Sequence, residues 1–352
     1  MVTRAVLCAT TADVDRHETG SWHPERPARL PAVERALTDD LIREVVDRIE
    51  VRQATLDELA LAHDRRHLEA IERFVTDGGG ALDADTMTSR GSWNTARWAA
   101  GAGLAAVDAL DKTDAAAAFV GIRPPGHHAT ADQAMGFCLV NNVAVVAAAL
   151  VERRHRVAIF DWDVHHGNGT QDIFWDTPQV LYASVHEYPA YPGTGRAEEI
   201  GGAGARGATV NVPLPEGSTG GAMLAAFDDI IGPAIADFGP DWLLVSAGYD
   251  AHRADPLAGL SLSAGDFGLL AARTAELAPT GRTVVFLEGG YDLDALANSV
   301  TATVAALAGI EEHDVEPPTE GVTGRAAVTA ASAARRRALD ATLDAAPEDG
   351  SG

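Results

Sequence analysis

Phe160-Asp161-Trp162-Asp163-Val164-His165-His166-Gly167-Asn168-Gly169 sets two carboxylates and an imidazole at alternate positions. Read as the end of a β-strand, period two turns Asp161, Asp163 and His165 to one side. Two oxygens and one nitrogen suit a borderline divalent ion such as zinc, whose catalytic sites take three protein ligands and keep one position open. A ligand from another strand has to complete the set. Trp242-Leu243-Leu244-Val245-Ser246-Ala247-Gly248-Tyr249-Asp250 delivers a carboxylate at the C-terminal end of a second strand-like run, where parallel α/β sheets gather their chemistry. Asp250 is the candidate, although any of these residues alone also fits a solvated loop or a helix N-cap.

Three further segments shift that balance. Arg123-Pro124-Pro125-Gly126-His127-His128 follows the apolar run from Ala115 to Ile122 and precedes Gly136-Phe137-Cys138. Tandem histidines after a Pro-Pro-Gly turn sit on rigid, exposed backbone, so both rings can point into a cleft as acid/base residues. Phe286-Leu287-Glu288-Gly289-Gly290-Tyr291 ends another strand-like run, and its glycine pair can take turns closed to other residues before presenting a phenol. By itself this would read as a turn with a packed tyrosine.

Together these residues resemble the zinc-dependent histone deacetylase family, in wording closest to its class II branch. The resemblance is carried by Arg123 to His128, Gly136 to Cys138, Asp161 to Gln171, Val180 to His186, Val245 to Asp250 with Arg253 to Leu257, and Leu287 to Tyr291. His23-Pro24-Glu25-Arg26-Pro27-Ala28-Arg29-Leu30 adds an N-terminal piece. The segments run in order from about residue 17 to residue 310 with compatible spacing, which is far more specific than a single motif.

The resemblance implies the arginase/deacetylase fold, a three-layer α/β/α domain with a central parallel sheet of eight strands. The sequence reads compatibly. Strand-like runs occur at Ala5 to Ala9, Ile49 to Gln53, Ala117 to Ile122, Val157 to Asp161, Val180 to Val185, Thr209 to Val212, Trp242 to Ser246 and Thr283 to Leu287. Alanine-rich amphipathic stretches at Asn142 to Arg153, Gly221 to Asp237 and Ala264 to Leu277 fit βα crossovers. Residues 1–310 are expected to form the catalytic domain, and 311–352 an acidic linker, a surface helix and a disordered C-terminus from Pro347 to Gly352.

The resemblance also implies roles. Asp163, His165 and Asp250 would hold one zinc ion per chain. His128 would be the general base, and the acid for the departing amine, with His127 giving electrostatic support. Tyr291 would donate to the developing oxyanion. Asp161 would orient His127, and Asn168 would face His128. A neutral partner raises a histidine's pKa less than a carboxylate does, so His128 is expected to be mostly neutral. Phe137 matches a wall of the acyl-lysine tunnel and Leu257 a residue at its mouth, with core packing as the alternative for both. Arg29 matches an arginine of an internal acetate-release channel, with a structural ion pair as the alternative. Asp161, Asp163, His165, Ser184 and Val185 match a structural monovalent-cation site for potassium. His166 and His186 read as packed or hydrogen-bonded, while His17, His63, His67, His155 and His313 have no partner that the sequence names. The loop from Glu187 to Gly195 is short, as in bacterial and archaeal relatives.

The function expected is therefore hydrolytic removal of acetyl groups from lysine side chains of proteins. Deacetylation of acetylpolyamines or other small amides is the runner-up, disfavoured because Leu257 is not an acid. An arginase-like two-manganese ureohydrolase would need a second ligand set that His252 and Asp255 do not supply. A non-catalytic acyl-lysine reader would be expected to lack His128 or Tyr291, and both are present.

Composition speaks of environment. The net charge is −24 from 27 basic and 51 acidic residues, with Lys112 the only lysine. A surface of one sign repels itself unless salt screens it, which suggests a halophilic prokaryote, with an acidic mesophilic protein of a GC-rich genome as the alternative. The same charge disfavours direct nucleic-acid binding. No run of 18 apolar residues lacks charge, so no membrane span is expected. A cytoplasmic location and reduced Cys8 and Cys138 fit that reading. The oligomeric state is not legible.

Overall fold

The computed structural model describes residues 3–12, 14–310 and 315–343. His313 and the expected disordered segment from Pro347 to Gly352 lie outside them. Eight strands form one sheet: β1 (Val6–Thr10), β2 (Val46–Arg48), β3 (Ala117–Gly121), β4 (Val157–Asp161), β5 (Val180–Glu187), β6 (Thr209–Leu214), β7 (Trp242–Ala247) and β8 (Thr283–Leu287). Their order is β2-β1-β3-β8-β7-β4-β5-β6, and all neighbours are parallel. Every residue of β3, β4, β7 and β8 is buried, as a parallel sheet covered by helices on both faces requires. Alternate residues enter opposite cores. Ala158 and Phe160 join one cluster with Val245 and Phe267, whereas Val157 and Ile159 join the other with Leu244 and Phe286.

The strand expected at Ile49 to Gln53 lies three residues earlier, at Val46–Arg48. It is an edge strand with largely exposed side chains, so apolar content is a poor guide to it. Ile49 still donates its N–H to Cys8 O, but Ala54 N already donates to Arg97 O of the helix Ser92–Leu110. The chain has by then left the sheet edge to pass over Gly101, whose Cβ, if present, would overlap Arg52 O.

The segment after residue 310 is tied to the body where it is described. Glu316 Oε2 accepts from Ala264 N at 2.9 Å and lies 2.8 Å from His252 Nε2, and Ser263 donates to Pro317 O at 2.8 Å. The helix Arg325–Leu343 then packs Val328, Ala331 and Ala334 into the core cluster of β4 and β7. Cys8 and Cys138 are both buried and free.

Candidate active site

The C-terminal ends of four adjacent strands, β3, β8, β7 and β4, open onto one cleft of about 220 Å³. It is lined by His127, His128, Phe137, His165, Leu257 and Tyr291, among others. Ligand atoms of Asp163, His165 and Asp250 lie within 4.8 Å of one another at its base. Each carboxylate is held by the backbone that follows another strand of the sheet. Gly289 N–H donates to Asp163 Oδ2 at 2.8 Å, and Val164 N–H to Asp250 Oδ1 at 3.1 Å. A side chain at position 289 would place its Cβ 2.1 Å from Asp250 Oδ2, so glycine is needed for this close approach. Asp250 Oδ2 lies 3.2 Å from His165 Nδ1 but makes no hydrogen bond among the described residues.

The two histidines of the Pro-Pro-Gly turn sit side by side, ring centroids 4.1 Å apart. His127 Nδ1 lies 3.0 Å from Asp161 Oδ2, which also accepts from Tyr182 OH at 3.1 Å. Burial would depress His127, yet the carboxylates of Asp163 and Asp161 outweigh it and raise the imidazole to about 10. His128 Nδ1 lies 2.9 Å from Asn168 Oδ1. Burial, together with the charges of His127 and His165, pushes His128 well below the ordinary histidine range. Two adjacent imidazoles thus differ in protonation, which is how acid and base tasks are separated in one site. His165 is pushed the other way, because Asp163 and Asp250 overcome its burial.

Tyr291 is 8% exposed, and burial and the Asp250 carboxylate keep its hydroxyl protonated. Its ring meets Phe137 edge to face at 5.9 Å, and the Arg29 guanidinium carbon lies 5.0 Å from its centroid. Phe137 takes a left-handed backbone with φ 68°, a conformation that costs a non-glycine residue about 1 kcal/mol. His23 packs on it at 4.7 Å and Thr86 Oγ1 accepts its N–H at 3.2 Å. Leu257 is 39% exposed at the rim. Arg29 is fully buried and donates to Gly290 O at 2.8 Å and Glu25 Oε1 at 3.3 Å. Ser184 is in register with Asp161, its hydroxyl 2.9 Å from His186 Nδ1, and the Val185 side chain is in the core. His166 meets Thr194 Oγ1 at 2.7 Å and Gln171 Oε1 at 3.1 Å, outside the cleft. His17, which the sequence left unpartnered, meets Ser92 Oγ at 2.6 Å and Glu25 at 3.4 Å.

Four residues escaped sequence reasoning. Glu288 is buried, and its Oε2 accepts both Gly126 N–H at 2.6 Å and His127 N–H at 3.2 Å, while Ser246 donates to Oε1 at 3.1 Å. Burial raises its carboxyl to about 7 against the opposing pull of His127. The signal was a lone acid at the end of an apolar strand. Asp255, weighed only as a spare ligand, accepts Tyr291 N–H at 2.7 Å and Leu257 N–H at 3.0 Å. Tyr191 packs edge-on to His128 at 5.0 Å, and Asp85 lines the rim. Both sit in loops without a period to expose them.

A family model for the histone deacetylase domain matches residues 23–307. Histone deacetylase 10, chloroplastic, of Oryza sativa subsp. japonica is 40% identical over 310 residues, covering 82% of this chain and 70% of that protein. A probable deacetylase of Archaeoglobus fulgidus is 36% identical over 315 residues, 86% of each chain. The crystal structure of the HDA15 HD domain superposes with a TM-score of 0.86 at 32% identity, covering 97% of this chain and 99% of that one. The eight-stranded sheet is accordingly that of the arginase/deacetylase fold.

Proposed function

Because the chain belongs to the histone deacetylase domain family, and is a hydrolytic deacetylase by that membership, we propose that it removes acetyl groups from lysine side chains of proteins. The observation that carries this reading is the convergence on one narrow cleft of a three-ligand cluster, two differently poised histidines and a buried tyrosine.

The cluster fits a divalent metal, since Asp250 Oδ2 is a buried carboxylate oxygen without a hydrogen bond and faces the His165 nitrogen. Asp163, His165 and Asp250 would hold the ion, taken here to be zinc, which when bound polarises an amide carbonyl and acidifies water. His128, mostly neutral, accepts the proton of the attacking water through the nitrogen that does not face Asn168, and returns it to the leaving amine. His127, held protonated by Asp161 and Asp163, stabilises negative charge beside it. Tyr291 donates its hydroxyl to the oxyanion. Phe137 and Leu257 flank the acyl-lysine stem. Arg29 would line the acetate exit, and Asp161, Asp163, His165, Ser184 and Val185 would hold a potassium ion. The catalytic unit is residues 1–310, in a chain that folds best in concentrated salt.

A second reading, deacetylation of small cationic amides, is favoured by one observation: the carboxylate of Asp85 also lines the cleft. Leu257 weighs against it. An aliphatic rim packs against the linker of acetyl-lysine and offers nothing to a second ammonium, whereas a carboxylate there would add about 1 kcal/mol. Metal-loaded protein assayed against acetyl-lysine peptides and acetylspermidine at matched salt should prefer a peptide. Leu257→Glu should move kcat/KM toward the polyamine by roughly fivefold. Faster hydrolysis of acetylspermidine than of every peptide by the native protein would replace the first reading with the second.

A further inference from the structure

At the opposite end of the sheet from the catalytic cleft lies a second, larger cavity of about 640 Å³. It is framed by the residues that precede β4, β5 and β6, by the end of the helix Gly232–Phe238 and by the helix Arg325–Leu343. Arg156, Arg206, Arg335 and Arg336 line it. None of the four has a carboxylate within ion-pair distance among the described residues. This is unexpected in a chain with 51 acidic and 27 basic residues. Two acids share the lining, Asp229 and Asp237, and Asp229 is taken by Arg325 at 2.8 Å.

Arg335 is the most constrained of the set. It is partly buried, donates through Nη2 to Gly207 O at 2.8 Å and through Nη1 to Thr209 O, and keeps further N–H groups free of those bonds. Burial lowers its pKa, with no carboxylate opposing the effect. A desolvated, unpaired guanidinium is unfavourable unless an anion compensates it. Arg156 stacks its guanidinium carbon 4.3 Å from the Phe238 ring centroid, which holds a second fork on the wall. Five of the eight backbone N–H groups of the glycine-rich loop from Gly201 to Ala208 are already spent: Gly202 on Trp175 O, Gly204 on Asp176, Ala205 on Gly202 O, Gly207 on Ile200 O and Ala208 on Ala205 O. Recognition would therefore come from the guanidinium forks, which match phosphate oxygens two at a time.

We propose that this cavity is a binding site for a small phosphate-bearing anion, bridging the helix Arg325–Leu343 to the sheet. Two of its four arginines come from that helix, which lies beyond the matched family segment 23–307. The site is separate from the deacetylase chemistry, and its ligand ties the C-terminal segment to the body.

The test is calorimetric titration and thermal shift on the metal-loaded, full-length protein at one fixed ionic strength, with inorganic phosphate, pyrophosphate, adenosine monophosphate and citrate. At least one phosphate probe should bind with 1:1 stoichiometry and raise the melting temperature, while peptide deacetylation stays constant. Tighter binding of pyrophosphate points to a free inorganic anion, and tighter binding of the nucleotide to a phosphate ester. Arg335→Gln should weaken the interaction roughly tenfold or more, the loss of a charge-assisted hydrogen bond. Should that variant fail to fold, Arg206→Gln with Arg336→Gln removes two exposed arginines instead. Arg90→Gln, remote from the cavity, should change nothing. Binding that survives the arginine substitutions, citrate binding as tightly as the phosphates, or no binding by any probe would each overturn the proposal.

Discussion

Asp250 gives its two oxygens different tasks. Oδ1 accepts Val164 N–H and fixes the carboxylate, which leaves Oδ2 aimed at His165 without a hydrogen bond. Tyr291 stands opposite, with its N–H spent on Asp255. The two residues should therefore fail in distinguishable ways. Asp250→Ala should abolish stoichiometric metal binding. Tyr291→Phe should retain the metal and lower kcat by about 10²- to 10³-fold, the usual loss when an oxyanion donor is removed. A phenylalanine variant with near-native turnover would remove Tyr291 from the chemistry. These residues were legible in the sequence because each follows an apolar strand at a position where polarity is costly. Glu288 meets the same criterion without signalling a role, since its task is to hold backbone rather than to face the cleft. Glu288→Gln preserves an acceptor for Gly126 and His127 and should be tolerated. Glu288→Ala leaves both N–H groups buried and unpaired, a loss of about 2 to 6 kcal/mol on the usual cost per group, measurable by denaturant unfolding. Equal damage from both variants would mean that the charge, not the acceptor, matters.

At the scale of elements, seven of the eight strands were readable as short apolar runs, because a parallel sheet covered on both faces has no solvent side to interrupt them. The edge strand Val46–Arg48 was misplaced for the converse reason. Loops were legible only where they carried chemistry. The junction between the loop after the helix Leu56–Leu59 and the start of the helix Asn142–Glu152 is a case the sequence left blank. His63 Nδ1 meets Thr130 O at 2.8 Å, and its Nε2 accepts Asn141 N–H at 2.9 Å. The ring must be neutral to make both bonds, and burial lowers it to about 4. An unfolded histidine titrates near 6.5, so between these values the unfolded chain binds more protons. The stabilisation is complete above pH 6.5 and is lost as pH falls through 6.5 toward 4, on the order of 3 kcal/mol. Unfolding free energy measured across that window should fall more steeply for the native protein than for His63→Gln. Parallel slopes would assign the acid sensitivity to other groups, among them His166, also lowered to about 4 by burial.

For the whole molecule, the dominant quantity is the excess of 24 acidic over basic residues, 51 minus 27. The exposed ion pairs, such as Arg35 with Asp294 at 2.7 Å and Arg43 with Asp40 at 2.8 Å, offset little of it, since such pairs contribute about 0 to 1 kcal/mol each. Added salt weakens these pairs and the self-repulsion together, and the repulsion is the larger effect because it involves every uncompensated carboxylate. Raising potassium chloride from 0.1 M to 1 M shortens the screening length from roughly 10 Å to 3 Å. The melting temperature should rise across that range and activity should rise with it. Replacing potassium by choline separates two contributions. Screening is blind to the cation, whereas an ion seated among Asp161, Asp163, His165, Ser184 and Val185 is not, so potassium should stabilise more than choline at equal ionic strength, most visibly at low salt. Identical curves for the two cations would eliminate the potassium site and leave screening intact. A melting temperature unchanged from dilute buffer to molar salt would eliminate the salt requirement itself, and the acidic surface would then need an origin other than life in brine.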